Sequence, residues 1–406
     1  MLKYAKIALS LVALATLSQA WEIEKKVIVD EPLDKIVLEN RTLSLDVGIG
    51  SGAYHFKSDP KNVIYTITDR GPNIKCKDSL KLMGKKLCKK GKIFPTPNFS
   101  PTIYKIALYD NWYKILEKIQ IKDRDGIPVS GISNKGTENA YDLKGNPLKF
   151  DPNGLDAEAL VKLSDGTFWI AEEYGASILH LSSDGRILKR VVPKGFKKNL
   201  NGANYDISES LPFIVSKRKL NRGIESIGVS PDEKTLYFSM QSPLANPNVK
   251  TYKKSKNVRI FKYDIAKDKV LGEYVYKLDN PNTFALDKNK KQSSIKVSEL
   301  AAVGNDELIV LERISKTTKF YRVKLEDSLS ILDTKWDDKN TSPSLEETSN
   351  FTKYLNKELV LDTSSLKGMP KKVEGLAYID KNNWILVNDN DFGINGYKSF
   401  IIKIKN

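Results

Sequence analysis

The chain is poor in the side chains that most often carry metal and acid–base chemistry near neutral pH. It has two histidines, His55 and His180, and two cysteines, Cys76 and Cys88, among 406 residues. A Ser-His-Asp triad therefore has almost no base to draw on, and a zinc site has few nitrogen or sulfur ligands. Both histidines sit mid-strand in alternating patterns, so each is expected to be structural. "GIGSG" at 48–52 lacks the spacing of a nucleophile elbow. The S-x-x-K matches at Ser58 and Ser364 are chance-level in so lysine-rich a chain. Beyond the first twenty residues no apolar run has the ~20 residues a membrane helix needs. A basic stripe interleaved with exposed aromatics, the mark of nucleic-acid binding, is also missing, and no nucleic-acid partner is expected.

The first twenty residues, "MLKYAKIALSLVALATLSQA", form a separate object. Lys3 and Lys6 precede an apolar run from Ile7 to Leu17, and Ser18-Gln19-Ala20 closes it. That is the layout of a secretory signal peptide cleaved before Trp21. The alternative is a membrane anchor, for which the run is short. No cysteine follows the site, which argues against a lipid anchor. The expectation is a periplasmic or secreted protein, monomeric and without a membrane anchor once the leader is removed. An oxidising compartment favours a disulfide between Cys76 and Cys88, closing a basic loop. The formal net charge is +16, or +14 without Lys3 and Lys6. It is mostly lysine in loop-like runs, which reads first as a composition that keeps the protein soluble, the alternative being a mild preference for anionic substrates or surfaces.

What the chain does have is a recurring unit. "GLDAEALVKLSDGTFWIAEEYG" at 154–175 reads as two alternating strands around a Ser164-Asp165-Gly166 turn. The pattern returns at 223–243, 296–314 and 372–393. An earlier copy at 50–71 lacks the leading glutamate. From Glu158 to Glu173 is 15 positions, from Glu225 to Gln241 is 16, from Glu299 to Glu312 is 13, and from Glu374 to Asp389 is 15. Each hairpin is followed by another strand or strand pair. A repeated four-stranded antiparallel unit predicts an all-β chain, a β-propeller of four-stranded blades. Five repeats are visible, so five or six blades are expected. The intervals between leading glutamates, 67 to 75 residues, exceed the roughly 40–50 of common propeller repeats. Inserts at 72–99, 126–153, 194–220 and 334–358 take up the difference. The last copy shows three strands, and the stretch from Trp21 is expected to supply its outer strand.

On that fold Glu158, Glu225, Glu299 and Glu374 would ring one mouth of the channel. Glu173, Gln241, Glu312 and Asp389 would lie just outside them, with Asp69 from the first copy. Carboxylates this close do not all stay ionised without a cation. Oxygen ligands alone favour a hard ion such as Ca²⁺. Taken singly, each acid reads equally well as a turn cap or a partner for a lysine on a wet rim. Arg70, Arg222 and Arg313 stand beside the acids. They either pair with them or hold an anionic substrate by bidentate hydrogen bonds.

The motifs "TDRGPN", "GLDAEALVKLSDGTFWIAEEYGASILHLSSDGRIL", "NRGIESIGVSPDEKTLYFSMQSPL", "LIVLER" and "VEGLAYIDKNNWILVNDNDFG" resemble the phytase-like bacterial proteins described as having esterase-like activity of phytase. The resemblance covers about residues 46–403. It implies a calcium-associated propeller with a hydrolase-like activity on esters or phosphoesters, and the expected partner is a small anionic ester or phosphoester substrate. Its acidic motifs fall on Asp156, Glu158, Glu173, Glu225, Glu312, Glu374, Asp389 and Asp391. Two departures are Ala176, where proline usually follows "EYG", and Ser51-Gly52, where later copies carry glutamate. In this reading an ion at the mouth activates water, Glu158 or Glu173 is the base, and the arginines hold the anion. The alternatives are a calcium-stabilised binding propeller and a lactonase-type propeller.

Overall fold

Alternating apolar residues, broken by Asp-Gly, Asn and Ser turns, build antiparallel sheets along nearly the whole chain. The computed structural model describes residues 20–38, 41–288 and 291–406. The expected leader, apart from Ala20, lies outside the described residues. Among those residues five sheets have four or more strands. The first is Gly52–Tyr54, Val63–Ile67, Thr102–Leu108 and Tyr113–Gln120. The second is Ala157–Lys162, Phe168–Glu172, Ser177–Leu181 and Ile187–Pro193, with Asp206–Leu211 added in parallel at its edge. The third is Ile224–Val229, Thr235–Met240, Asn257–Asp264 and Lys269–Lys277. The fourth is Lys296–Gly304, Glu307–Arg313, Thr318–Lys324 and Lys357–Asp362. All five sequence repeats supply the first two strands of a sheet.

The fifth sheet joins the chain ends. Val373–Asp380, Asn383–Asn388 and Ser399–Lys405 are completed on the outside by Glu22–Val29, which pairs antiparallel with Ser399–Lys405. The missing outer strand of the last repeat thus comes from the N-terminal stretch. The rest of that stretch, Pro32–Val37 with Thr42–Asp46, forms a separate two-stranded sheet.

The first strand of each sheet packs against the first strand of the next, and the fifth against the first. This cyclic order is consistent with a propeller. Small residues allow the approach. A Cβ on Gly52 would stand 2.7 Å from the Ala159 Cα, and one on Gly375 would stand 2.7 Å from the Ala53 nitrogen. Between neighbouring sheets lie continuous apolar layers, with inner faces interdigitating as in stacked sheets. Tyr65 and Ile67 meet Phe168 and Ile170 between the first and second sheets. Ile64, one residue out of phase, meets Ile385 and Ile401 of the fifth. Period-two alternation thus sends successive residues to opposite neighbours.

Two inserts fold together over one mouth of the ring. Ile74–Lys75, Lys92–Ile93 and Ala140–Tyr141 make a three-stranded sheet from segments 72–99 and 126–153. Cys76 and Cys88 form a disulfide within the first of them.

Closure by the N-terminal strand has a measurable consequence. Val27 and Val29 are buried against the fifth sheet's core. Replacing both by alanine should cost about 3–5 kcal/mol in urea unfolding, from lost transfer energy plus cavities. Val37→Ala, at a site 81% exposed, should cost less than about 0.5 kcal/mol. Equal effects would mean that the seam is not part of the cooperative core.

Candidate functional site

The site is built by an irregularity that recurs in step. In four sheets the pairing of the first two strands slips at the same place. The slips fall between Ala157 and Ala159, Ile224 and Ser226, Val297 and Glu299, and Val373 and Gly375. The extra residues are Glu158, Glu225, Ser298 and Glu374. A bulge leaves its extra residue unpaired and re-aims the side chain. Glu158, Glu225 and Glu374 all line one cavity of about 410 Å³, as does Ser51 of the first sheet. Asp69, Glu173 and Asp389, at or just past the ends of second strands, line it as well. Carboxylate oxygens of Asp69, Asp156 and Glu158 lie within 4.8 Å of one another, and so do those of Glu158, Glu173 and Glu225. Glu158 is the shared corner of both groups.

Cations are threaded among these acids. Arg70 is 4% exposed and pairs with Asp156, with Glu173 at 2.8 Å and with Glu138 at 3.1 Å. Its Nη2 also donates to Asn221 Oδ1 at 3.0 Å, and the guanidinium lies over the Tyr174 ring. Arg313 pairs with Glu374, and its Nε donates to Ser298 Oγ at 3.0 Å. Lys372 Nζ is 2.9 Å from Asp389 and 2.5 Å from Asp391. Lys296 and Lys92 line the same cavity.

Protonation follows from burial and these neighbours. Burial, then Asp156, Glu225 and Glu173, push Glu158 well above the carboxylate range. Burial lifts Glu225 to about 8 against the pull of Lys296. Burial, opposed by Arg70 and helped by Asp389, holds Asp69 at about 7. Burial raises Glu173 too, but Arg70 first, then an Asp156 hydrogen bond, Arg222 and Lys296, outweigh it and leave Glu173 at about 2. Loss of water, then Arg222 and Arg313, bring Lys296 down to about 8.

Two expected ring members stand elsewhere, each one position along its strand from the place that the other sheets use. Glu312 pairs with Val297, one step before the mouth position. Its carboxylate accepts from Tyr276 Oη at 2.6 Å, the Asp279 amide at 2.7 Å and Lys357 at 3.0 Å. Glu299 follows the bulge instead of occupying it. It is 1% exposed, accepts from the Leu300 amide at 3.0 Å and reaches toward the Ala53 amide. Neither lines the cavity. The equivalents of Glu158 and Glu173 in this sheet are Ser298 and Arg313, 15 positions apart as in the second and fifth sheets. The odd interval of 13 was the signal of the wrong pairing. Arg222 donates to Gln241 Oε1 at 2.5 Å and does not line the cavity, nor does Arg313. Arg70 does.

The histidines lie apart from the site. His55 Nδ1 bonds the Val63 carbonyl at 2.8 Å, and His180 stacks on Trp169. Sequence reasoning missed Lys296 and Lys372. Each stands two residues before a bulge position, as Asp156 does before Glu158, and that spacing was available to find them. Lys92 and Glu138 come from the inserts, where no repeat marks them.

The donor set suits a hard cation. It is all oxygen, it is buried, and Glu173 Oε1 has no hydrogen-bond partner among the described residues. Asp69, Asp156, Glu158, Glu173 and Glu225 are the residues able to hold such an ion.

Similarities to known proteins are of two kinds, relatives in sequence and likenesses among solved structures. An uncharacterized secreted protein of Arthroderma benhamiae is 26% identical over 232 residues, which is 50% of this chain and 45% of that protein. The match thus spans under half the length of that relative. Among solved structures, a luciferin-regenerating enzyme aligns over 92% of this chain and 95% of its own, with 9% identity and a TM-score of 0.37. A protein of unknown function from Bacteroides caccae aligns over 72% and 62%, with 7% identity and a TM-score of 0.30. Likenesses of that size do not bear on the chemistry. The sequence model "Phytase-like: Esterase-like activity of phytase" matches residues 50–392, and the chain belongs to this phytase-like family.

Proposed function

We propose that this chain is an exported, five-bladed β-propeller hydrolase of small anionic esters or phosphoesters, with a calcium ion held at the channel mouth. The observation that carries this reading is the convergence of bulged carboxylates from different sheets on one cavity, in a chain of the phytase-like family. The export part rests on the leader-like first twenty residues and on the secreted relative. Among the described residues no helix is long and apolar enough to cross a membrane.

Each residue has a part that follows from its setting. Glu158, common to both close carboxylate groups, is the central ligand, with Asp69, Asp156 and Glu225 around it. Arg70 bonds Glu173 through Oε2 and leaves Oε1 without a hydrogen-bond partner among the described residues, so that oxygen would be free to hold an ion or a water. Glu173, kept ionised by Arg70, is the carboxylate placed to take a proton from an attacking water, and Glu158 could share that role once a bound cation ionises it. When bound, a calcium ion supplies Lewis-acid polarisation of the ester or phosphoryl oxygen and a water of lowered pKa. The guanidinium of Arg70 holds Asp156 and Glu173, so its first task is to position them. Arg313 does the same for Glu374.

Two outcomes test this. Thermal or urea unfolding of the chain from Trp21 should show calcium stabilisation of about 2.7 kcal/mol when the ion is at 100 times its Kd, reversed by chelator. Glu158→Gln should abolish the effect, while Glu299→Gln and Glu312→Gln, away from the cavity, keep it once folded. Loss in all three variants, or in none, would refute the assignment of ligands.

Turnover should be measured on phosphomonoesters, carboxyl esters and lactones, each with calcium and with chelator. Calcium-dependent hydrolysis should fall about 100-fold or more in Glu173→Gln, the scale of a lost proton acceptor. Lactone turnover alone would move the chain to a lactonase. No turnover by folded, calcium-stabilised protein would make it a binding propeller.

A further inference from the structure

The cavity has a second wall that the carboxylate floor does not explain. It comes from the insert 72–99, which lies outside every repeat. This wall is held from several directions. Ile74–Lys75 pairs with Lys92–Ile93, and Ala140–Tyr141 pairs with the same strand from the other side. The Lys92 amide donates to the Asn139 carbonyl at 2.9 Å. The Cys76–Cys88 disulfide closes the loop between the two strands. Inside that loop the short helix Ser79–Met83 stops at Gly84, which takes a left-handed conformation, and Ser79 Oγ bonds the Cys76 carbonyl at 2.8 Å.

Three lysines of this insert line the cavity: Lys75, Lys81 and Lys92. Lys92 is 7% exposed, and its Nζ donates to the neutral amide oxygen of Asn73 at 2.7 Å. Lys75 and Lys81 are exposed, and neither ammonium group makes a hydrogen bond or ion pair among the described residues. They differ in this from Arg70, Arg313 and Lys372, each already bound to carboxylates. A buried ammonium without an anionic partner is costly. A structure that keeps one facing a cavity, beside two unpaired neighbours, has room for an anion to complete it.

The floor makes such a wall necessary for anionic ligands. An anion approaching Glu158, Glu173, Glu225 and Glu374 is repelled unless positive charge meets it on the way in. Three lysines against one carboxylate, Asp78, leave this cross-linked wall net positive, and none of the three makes an ion pair with the floor among the described residues.

We propose that Lys75, Lys81 and Lys92 are the specificity-determining residues of this site, and that they select phosphate-type anionic substrates over neutral esters. This rests on the hydrolase reading for its word "substrate", but not for the binding it asserts. The disulfide is then a positioning device. It closes the loop that carries Lys81 onto the strand that carries Lys75.

The test is titration of the folded chain with inorganic phosphate in calcium-containing buffer. Wild-type protein should bind phosphate. Lys75→Glu/Lys81→Glu, both at exposed positions, should weaken it at least tenfold. Lys75→Arg/Lys81→Arg should bind within about twofold of wild type, since the charge is retained. Lys92→Gln should weaken binding without altering calcium-dependent stabilisation. Cys76→Ser/Cys88→Ser should weaken it as well, while leaving calcium-dependent stabilisation in place. If hydrolysis is observed, the kcat/KM ratio of anionic to neutral substrate should fall with the Glu variants, through KM. Absence of phosphate binding by wild type, or unchanged binding in Lys75→Glu/Lys81→Glu, would overturn the proposal. Loss of all turnover on every substrate with lysine-dependent phosphate binding intact would instead refute only the hydrolase reading.

Discussion

Mutual repulsion among buried carboxylates is the constraint on which the rest of this molecule turns. Asp69, Asp156, Glu158, Glu173, Glu225, Glu374 and Asp389 converge on one mouth, and most are more than nine-tenths buried. Such a set does not contribute to stability. Buried ion pairs are often matched or bettered by apolar replacements, and removing one partner costs about 3–5 kcal/mol. Here the partners are specific: Arg70 for Asp156 and Glu173, Arg313 for Glu374, Lys372 for Asp389. The fold tolerates an arrangement that costs it energy, and binding is the physical reason to keep one.

The apolar layers make that cost bearable. Each sheet buries both faces between its neighbours, and the cyclic packing of first strands leaves none of them at a free edge. The N-terminal strand matters most to this, because Ser399–Lys405 would otherwise present open amides and carbonyls along the fifth sheet. Rigidity gained there is used at the mouth. Four bulges in step turn one residue per sheet toward the axis, which a regular pleat would send to alternating faces.

The repeat was legible because strand alternation and turn residues are local. So was the outer strand from the N-terminus, since the last copy lacked one. The disulfide followed from a count of two. What failed was register in the fourth sheet, where glutamates stand next to both mouth positions. Glu299 beside Ser298 and Glu312 before Arg313 look like ring members when composition is read alone. Pairing shows directly which neighbour is bulged, the interval of 13 being the one hint in the sequence, and a one-residue slip sends every side chain to the other face. The lysine wall was invisible for a different reason. Its strands are two residues long, and their partners lie in segments separated by the whole outer half of the first sheet.

The substitutions at equivalent positions also show that the mouth is not symmetric. The paired residues just below the bulge are Asp156 with Glu173 in the second sheet and Gly223 with Gln241 in the third. They are Lys296 with Arg313 in the fourth, and Lys372 with Asp389 in the fifth. One position thus runs from acid through neutral to base around the ring. Basic residues in the fourth and fifth sheets neutralise Glu374 and Asp389 internally. The carboxylates of the first three sheets keep oxygens in close groups, with Arg70 the cation paired directly to two of them. A cation drawn to this mouth is therefore drawn to one side of the axis, around Glu158. The other half of the opening holds its charges in closed pairs, Arg313 with Glu374 and Lys372 with Asp389 and Asp391. A repeated scaffold has thus been given two chemically different halves by changing two residues per repeat: one of closely grouped carboxylate oxygens, the other of acids already matched by their own bases.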